Sequence, residues 1–249
     1  MQNKVSVIII TGNEENNIRA CLQSVTWADE IIVVDSESND STVKIAKEFT
    51  EKVFLKRWEG YAKQKTYALS LTKNDWVLSL DADEKVTKNL ADEILSRDLS
   101  QSNGFLIKRD NYFLGKQIKG CGWGNDWQLR LVNKNYSKLS DRLVHEKFLI
   151  EGKIKKLNNS FTHYSYSSIK DALGKINNYS TLEAIEKANK KSVNIFTILF
   201  SPAFYFLHHF IIRKGFLDGL HGIIISYLHM MTKLQVQLKI LEIKKSSSN

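Results

Sequence analysis

Cysteine is nearly missing from this 249-residue chain, which has only Cys21 and Cys121. Two thiols supply no disulfide framework, and Cys21 falls in a helical pattern where it reads as a small buried hydrophobe. A reducing, cytoplasmic setting is expected. Neither G-x-G-x-x-G nor G-x-x-x-x-G-K-[ST] occurs, which excludes the two commonest glycine-built phosphate cradles. A secretory leader is not expected, because the apolar run Val5 to Ile10 is only six residues long and leads into Thr11-Gly12-Asn13-Glu14-Glu15 without a small-residue cleavage pattern. Internal repeats are also missing. Arginine is scarce toward the end: residues 147–249 hold 15 basic and 6 acidic side chains, and only Arg213 among the basic ones is an arginine.

Residues 1–146 carry 21 basic and 21 acidic side chains, so the whole net charge of +9 lies in the last 103 residues. That excess accompanies long apolar runs rather than aromatics interleaved with arginine. An anionic membrane surface is therefore the expected partner, and nucleic acid is not. From Val193 to Ile212 there is no Asp, Glu, Lys or Arg, although Asn194, Pro202, His208 and His209 interrupt the run and Arg213-Lys214 closes it. Twenty such residues could span a bilayer. Helices lying in the interface are preferred to spanning ones, and a second apolar stretch is read from Gly215 to Met231. Lys244 to Asn249 reads as a disordered polar tail.

The first hundred residues alternate strand and helix. Strands are expected at 5–10, 30–35, 53–55 and 75–80, and helices at 14–25, about 40–49, 61–71 and 87–97. The continuous apolar strands suit a parallel sheet covered on both faces. Further on, a strand is expected at 104–109, a glycine-rich loop at Gly120-Cys121-Gly122-Trp123-Gly124, a strand at 127–132, short strands and loops over 137–163, and an amphipathic helix over 168–190. Two regions are expected. Residues 1–165 would form an α/β domain in two parts, 1–100 and 101–165. Residues 166–249 would form a helical, basic, membrane-associating region.

The most telling feature is Leu78-Ser79-Leu80-Asp81-Ala82-Asp83-Glu84, where a buried strand ends in three acids. Asp81 and Asp83 point to the same side of an extended chain, and like charges that close need a cation. Oxygen ligation suits Mg²⁺ or Mn²⁺, which then takes further ligands from substrate phosphates. The alternative is an acidic turn in which Asp83 or Glu84 caps the next helix. In a doubly wound sheet ligands bind at the carboxyl ends of the strands, where Thr11, Asn13, Glu14, Asp35 and Asp81–Glu84 all fall.

Three motifs in order, 5–16, 31–42 and 78–84, resemble the family 2 glycosyltransferases of the GT-A fold. Gly122-Trp123, Asp126-Trp127-Gln128-Leu129-Arg130-Leu131, Val144-His145-Glu146 and Gly215 to Gly219 resemble bacterial enzymes that glycosylate the lipopolysaccharide inner core, beta-1,4-glucosyltransferases among them. The resemblance spans nearly the whole chain. It implies a GT-A, Rossmann-like α/β fold with a mostly parallel sheet and a C-terminal helical segment, with residues 1–165 as the catalytic domain, 1–100 binding the nucleotide-sugar and 101–165 meeting the acceptor. It implies a metal-dependent, inverting transfer of a hexose from a nucleotide-sugar, UDP-glucose-like, to a lipid-linked acceptor, the lipopolysaccharide core, by an enzyme peripheral on the inner membrane. Asp35 would meet the nucleobase, with Thr11, Asn13 and Glu14 lining the nucleoside pocket. Asp81 would meet the ribose or metal and Asp83 the Mg²⁺ or Mn²⁺, with His145 as a further ligand. Asp126 would be the base and Glu146 its alternative. Lys63 and Gln64 would touch the nucleotide-sugar, and Arg130 a phosphate or acceptor carboxylate. For these last three a solvated helix face or surface ion pair is the plain alternative. Two other functions stay open: a polyprenyl-phosphate sugar synthase and a non-catalytic nucleotide-sugar- or membrane-binding scaffold.

Overall fold

The computed structural model describes residues 3–140, 147–166 and 168–246. In chain order the elements are β1 (Val5–Thr11), α1 (Ile18–Gln23), β2 (Glu30–Asp35), α2 (Thr42–Ala46), β3 (Val53–Leu55), α3 (Tyr61–Ser70), β4 (Trp76–Asp81), β5 (Glu84–Val86) and α4 (Lys88–Ser96). They continue with β6 (Gly104–Phe113), β7 (Lys116–Gln117), β8 (Asp126–Asn133), β9 (Ser137–Leu139), β10 (Phe148–Ile150), β11 (Ile154–Tyr166), α5 (Ile169–Lys187), α6 (Ile195–Leu207) and α7 (Leu220–Ser246). Among the described residues a nine-stranded sheet runs β3-β2-β1-β4-β8-β6-β11-β5, with β7 paired to β6.

Strands β3, β2, β1 and β4 are parallel, and β8 joins them antiparallel to β4. All seven residues of β1 are buried because helices cover both faces. Val5, Val7 and Ile9 pack with Ile18 and Leu22 of α1 and with Leu90 and Ile94 of α4. Ile8 and Ile10 point the other way, toward Ala68 and Tyr67 of α3. Alternate side chains thus feed two cores, which explains the unbroken apolar run.

The described residues group into two compact units. One comprises Met1–Arg109 and Trp127–His163, and the other Asp110–Asp126 and Tyr164–Asn249. The chain passes from one unit to the other at His163–Tyr164, and residues 110–126 also group with the C-terminal helices. Asp218 is the fastening: its buried carboxylate accepts the backbone N–H groups of Lys119 (3.0 Å) and Gly120 (2.6 Å), and its carbonyl accepts Lys116 Nζ (2.8 Å).

Two further differences have local causes. Over 137–163 the expected short strands include instead the 13-residue β11. Its alternation is hidden by Lys155, Lys156, Asn158 and Asn159, while Leu157 and Phe161 supply the buried face. The helix α7 continues to Ser246, so Lys244 and Lys245 are its last turn rather than a disordered tail. Lysines there complement the carbonyl end of the helix dipole.

In the second unit, α7 packs against both α5 and α6. Polar bonds tie the three: Lys233 Nζ to Glu183 (2.9 Å), Ser180 Oγ to Gln235 (2.9 Å), Gln237 Nε2 to Ser201 Oγ (2.9 Å). The His209 and His229 rings stack with centroids 3.8 Å apart. Burial, with the neighbouring His209 adding to it, pushes the His229 imidazole down to about 3. Below 6.5 the unfolded chain takes up a proton here that the folded chain refuses, so stability falls as pH drops from 6.5 toward 3. The slope from this group approaches about 1.4 kcal/mol per pH unit. Hydrogen exchange at α7 amides, corrected for intrinsic rates, should report that loss, and His229→Phe should remove most of it. An unchanged slope in the variant would contradict the assignment.

Candidate active site

The strand register of the first unit brings its polar ends to one rim. Thr11 pairs with Asp35 across β1 and β2, and Ile10 pairs with Asp81 across β1 and β4. Because β8 runs antiparallel to β4, its Trp127–Gln128 end lies toward the carboxyl end of β4.

Asp35 is buried and fixes the turn after β2, accepting Ser38 N at 2.8 Å and Ser38 Oγ at 2.6 Å. Ser38 Oγ in turn accepts Asn13 N at 2.7 Å, and Asn13 Oδ1 accepts Asn39 N at 2.9 Å. Asn13 has φ 55°, a left-handed backbone that asparagine tolerates better than most residues. Glu14 N donates to Thr42 Oγ1 at 2.8 Å, and Glu14 Oε2 accepts Asn17 Nδ2. The loops after β1 and β2 are therefore one interlocked floor. The Thr11 Oγ1 atom is buried there without a hydrogen-bond partner among the described residues.

Helix α3 separates the two residues expected to act together. Gln64 is fully buried, its Nε2 donating to Lys56 O (2.9 Å) and Ser36 Oγ (3.1 Å), while its Oε1 finds no partner among the described residues. Lys63 faces outward, 67 % exposed, beside Glu59 at 3.5 Å. The lysine that turns inward is Lys65, whose Nζ lies 3.1 Å from Asp81 Oδ1. Its position was legible in principle: Tyr61, Gln64, Lys65 and Ala68 make one helical stripe.

Arg130 of β8 is buried rather than a surface ion pair. Its guanidinium meets Asp81 Oδ2 at 2.7 Å and Glu84 Oε1 at 2.5 Å. Glu84, fully buried, also accepts Asp81 N at 3.0 Å and has Arg109 at 3.6 Å. Burial pushes the Asp81 carboxyl up, but the Arg130 and Lys65 cations outweigh it and hold the group well below the usual carboxylate range. For Glu84 burial wins over Arg130, and Asp81 adds to it, so this carboxyl lies above its ordinary value. The capping alternative for the acids is not what forms, since α4 is capped by Thr87, whose Oγ1 accepts Leu90 N.

Asp83 lies 3.5 Å from His163 Nε2, a histidine of β11 that no motif in the sequence had marked. Among the described residues no three His, Cys, Asp or Glu side chains gather as a ready-made metal shell. The Asp83 carboxylate offers oxygen of the kind Mg²⁺ and Mn²⁺ take, and such ions keep waters and draw on phosphate oxygens for their other ligands. His145 and Glu146 lie outside the described residues. In the second unit Asp126, half-buried, accepts Asn111 Nδ2 at 3.0 Å, and that amide also donates to Trp123 O.

The model of glycosyl transferase family 2 matches residues 6–149. An uncharacterized glycosyltransferase of Rickettsia typhi is 35 % identical, the match covering 99 % of this chain and 89 % of that one. The lipopolysaccharide core biosynthesis glycosyltransferase LpsC of Rhizobium meliloti is 27 % identical, with 90 % and 89 % covered. In three dimensions the chain is similar to Staphylococcus aureus TarS residues 1–349 in complex with UDP-GlcNAc, at TM-score 0.51 and 16 % identity over 98 % of this chain and 92 % of that one, which shows a shared fold. The chain belongs to glycosyl transferase family 2. It is a glycosyltransferase with the mixed α/β sheet of the GT-A fold.

Glu84 tests the logic of the cluster. Glu84→Ala leaves Asp81 N without its acceptor and takes from the buried guanidinium one of its two carboxylate partners, and should cost about 3–5 kcal/mol in denaturant unfolding. Glu84→Gln keeps one acceptor oxygen and should cost clearly less. Equal, small losses for both would contradict this role.

Proposed function

We propose that the chain transfers a hexose, with inversion, from a nucleotide-sugar of the UDP-glucose kind to a lipid-linked saccharide at an anionic membrane surface. The observation that carries the donor reading is the rim itself. Thr11, Asp35 and Asp81 stand side by side in register at the carboxyl ends of β1, β2 and β4, where a doubly wound sheet takes its ligands. The nucleoside would sit over Thr11, Asn13, Glu14 and Asp35, on loops already fixed by their mutual hydrogen bonds.

The acids divide their work on this reading. Asp81 is held by Lys65 and Arg130, so Asp83, with His163 beside it, would hold the divalent ion. When bound, Mg²⁺ or Mn²⁺ supplies positive charge against the departing diphosphate. Lys65 and Arg130 stand ready for the same charge from the protein side. Asp126 would take the proton from the acceptor hydroxyl, its carboxylate oriented by Asn111. The name of the Rhizobium meliloti relative supports lipopolysaccharide core as the acceptor class.

Transfer from UDP-glucose to a core oligosaccharide–lipid A acceptor, run beside undecaprenyl phosphate, tests the reading. Asp83→Ala and Asp126→Asn should each lower turnover by at least about 10²-fold while circular dichroism stays unchanged. Near wild-type turnover in either variant would remove the role given to that residue. Preference for undecaprenyl phosphate would replace the acceptor.

A further inference from the structure

The segment Ile195–Ile212 is long and apolar enough to cross a membrane by length and composition, with mean hydropathy 1.7, yet only 6 % of it is buried. Its amphipathicity is inverted. Phe196, Leu199, Phe200, Phe204, Leu207 and Ile211 recur at helical spacing, each 51–69 % exposed. The side turned toward α7 is the one that carries polar atoms: Ser201 Oγ accepts Gln237 Nε2, and His209 stacks on His229. Phe216, Leu217 and Leu220, at the turn into α7, are exposed as well, and the Phe216 ring lies 6.4 Å from that of Phe210. A contiguous apolar face of this size, turned outward, marks an interaction surface.

The surrounding charges identify the partner. No acid occurs between Glu186 and Asp218, and Asp218 is buried against the Lys119–Gly120 backbone. Exposed Lys190 and Lys191 precede the apolar helix, and exposed Arg213 and Lys214 follow it. A greasy strip with cations at both ends and no acid of its own matches an anionic lipid surface, not an acidic groove or a neutral protein face.

The packing also decides between crossing and lying flat. The amino end of α6 runs beside the charged second half of α7, where Gln237 bonds Ser201 and Lys244 Nζ bonds Lys191 O at 2.6 Å. Its carboxyl end meets the first half of α7, through Phe206 on Tyr227 and His209 on His229. Placing α6 across a bilayer would carry Lys233, Lys239 and Glu183, all tied into the α5–α7 contact, into hydrocarbon. Charges there cost several kcal/mol each by order of magnitude. An in-plane helix immerses only its outer face and leaves the α5–α7 bonds in water.

We infer that α6 and the turn after it form a monotopic docking strip, about 27 Å long for 18 residues, that lies flat in the headgroup–acyl boundary of an anionic leaflet. The strip gives a physical site to the membrane surface in the proposed reaction, and rests on that reaction only for its purpose, not for its binding.

The full chain is tested with vesicles of phosphatidylcholine, with and without phosphatidylglycerol, in flotation. Binding should need the anionic lipid and fall at high salt. Phe200→Asp and Phe204→Asp, both at exposed positions, should each weaken it by roughly tenfold or more. UDP-glucose hydrolysis by these variants should stay at the wild-type level. Depth is read from tryptophan placed singly at 196, 204 and 211 and quenched by lipids brominated at shallow or deep carbons. A flat helix gives the same shallow depth at all three, and a crossing helix gives a deep centre at 204 with shallow ends, which would overturn the proposal. Unchanged flotation of the aspartate variants would also overturn it, as would self-association through this face without lipid binding. Failure of UDP-glucose turnover in wild type, with flotation intact, would count against the proposed reaction alone.

Discussion

The arrangement of the nucleotide-side rim depends on one buried set of charges: Asp81 and Glu84 held by Arg130, with Lys65 closing on Asp81 from the other side. Two acids and two cations at the end of a hydrophobic strand are costly to desolvate unless each is met by an opposite charge or a hydrogen bond. Here Glu84 serves twice, accepting both the guanidinium and the Asp81 backbone N–H. The cluster ties β4, β5, β8 and α3 together at the rim. It also keeps a negatively charged strand end and two cations within one small volume. A site for a diphosphate and a divalent ion needs both signs of charge, and a neutral apolar rim could offer neither.

Much of this was legible in the residues. Val5 to Ile10, Glu30 to Asp35 and Asp75 to Leu80 read as parallel strands because unbroken apolar runs are what two covered faces require, and the register then puts Thr11, Asp35 and Asp81 together. What escaped notice depends on tertiary partners. Lys65 and Lys63 are equivalent as sequence symbols, and only the helical phase, set by the burial of Gln64 and Ala68, turns one of them inward. His163 lies in a strand whose polar residues read as loop, so its approach to Asp83 could not be anticipated. Arg130 kept two readings until its burial decided against the surface one. Glu84, read as a cap or a third acid, is the anchor of the cluster.

The C-terminal unit follows a different logic. Its charges are spent on holding helices to one another, Glu183 with Lys187 and Lys233, Lys239 with Asn177 and Thr181, while its apolar side chains face outward along α6. Asp218 belongs to this internal wiring: in sequence it reads as a charge interrupting an apolar stretch, but in the fold it binds the backbone of the Lys119–Gly120 segment. Hydropathy alone could not separate a crossing helix from a flat one. The distinction lies in which face of α6 is polar and in the charged helix running beside it.

The central claim is that the Asp81–Asp83 rim holds a nucleoside diphosphate together with a divalent ion. The most direct measurement is calorimetric titration of UDP into the full chain, with Mn²⁺ present and with Mn²⁺ removed by chelation. The account predicts saturable binding that strengthens by at least about tenfold with Mn²⁺. Equal binding under both conditions, or none in either, would contradict it.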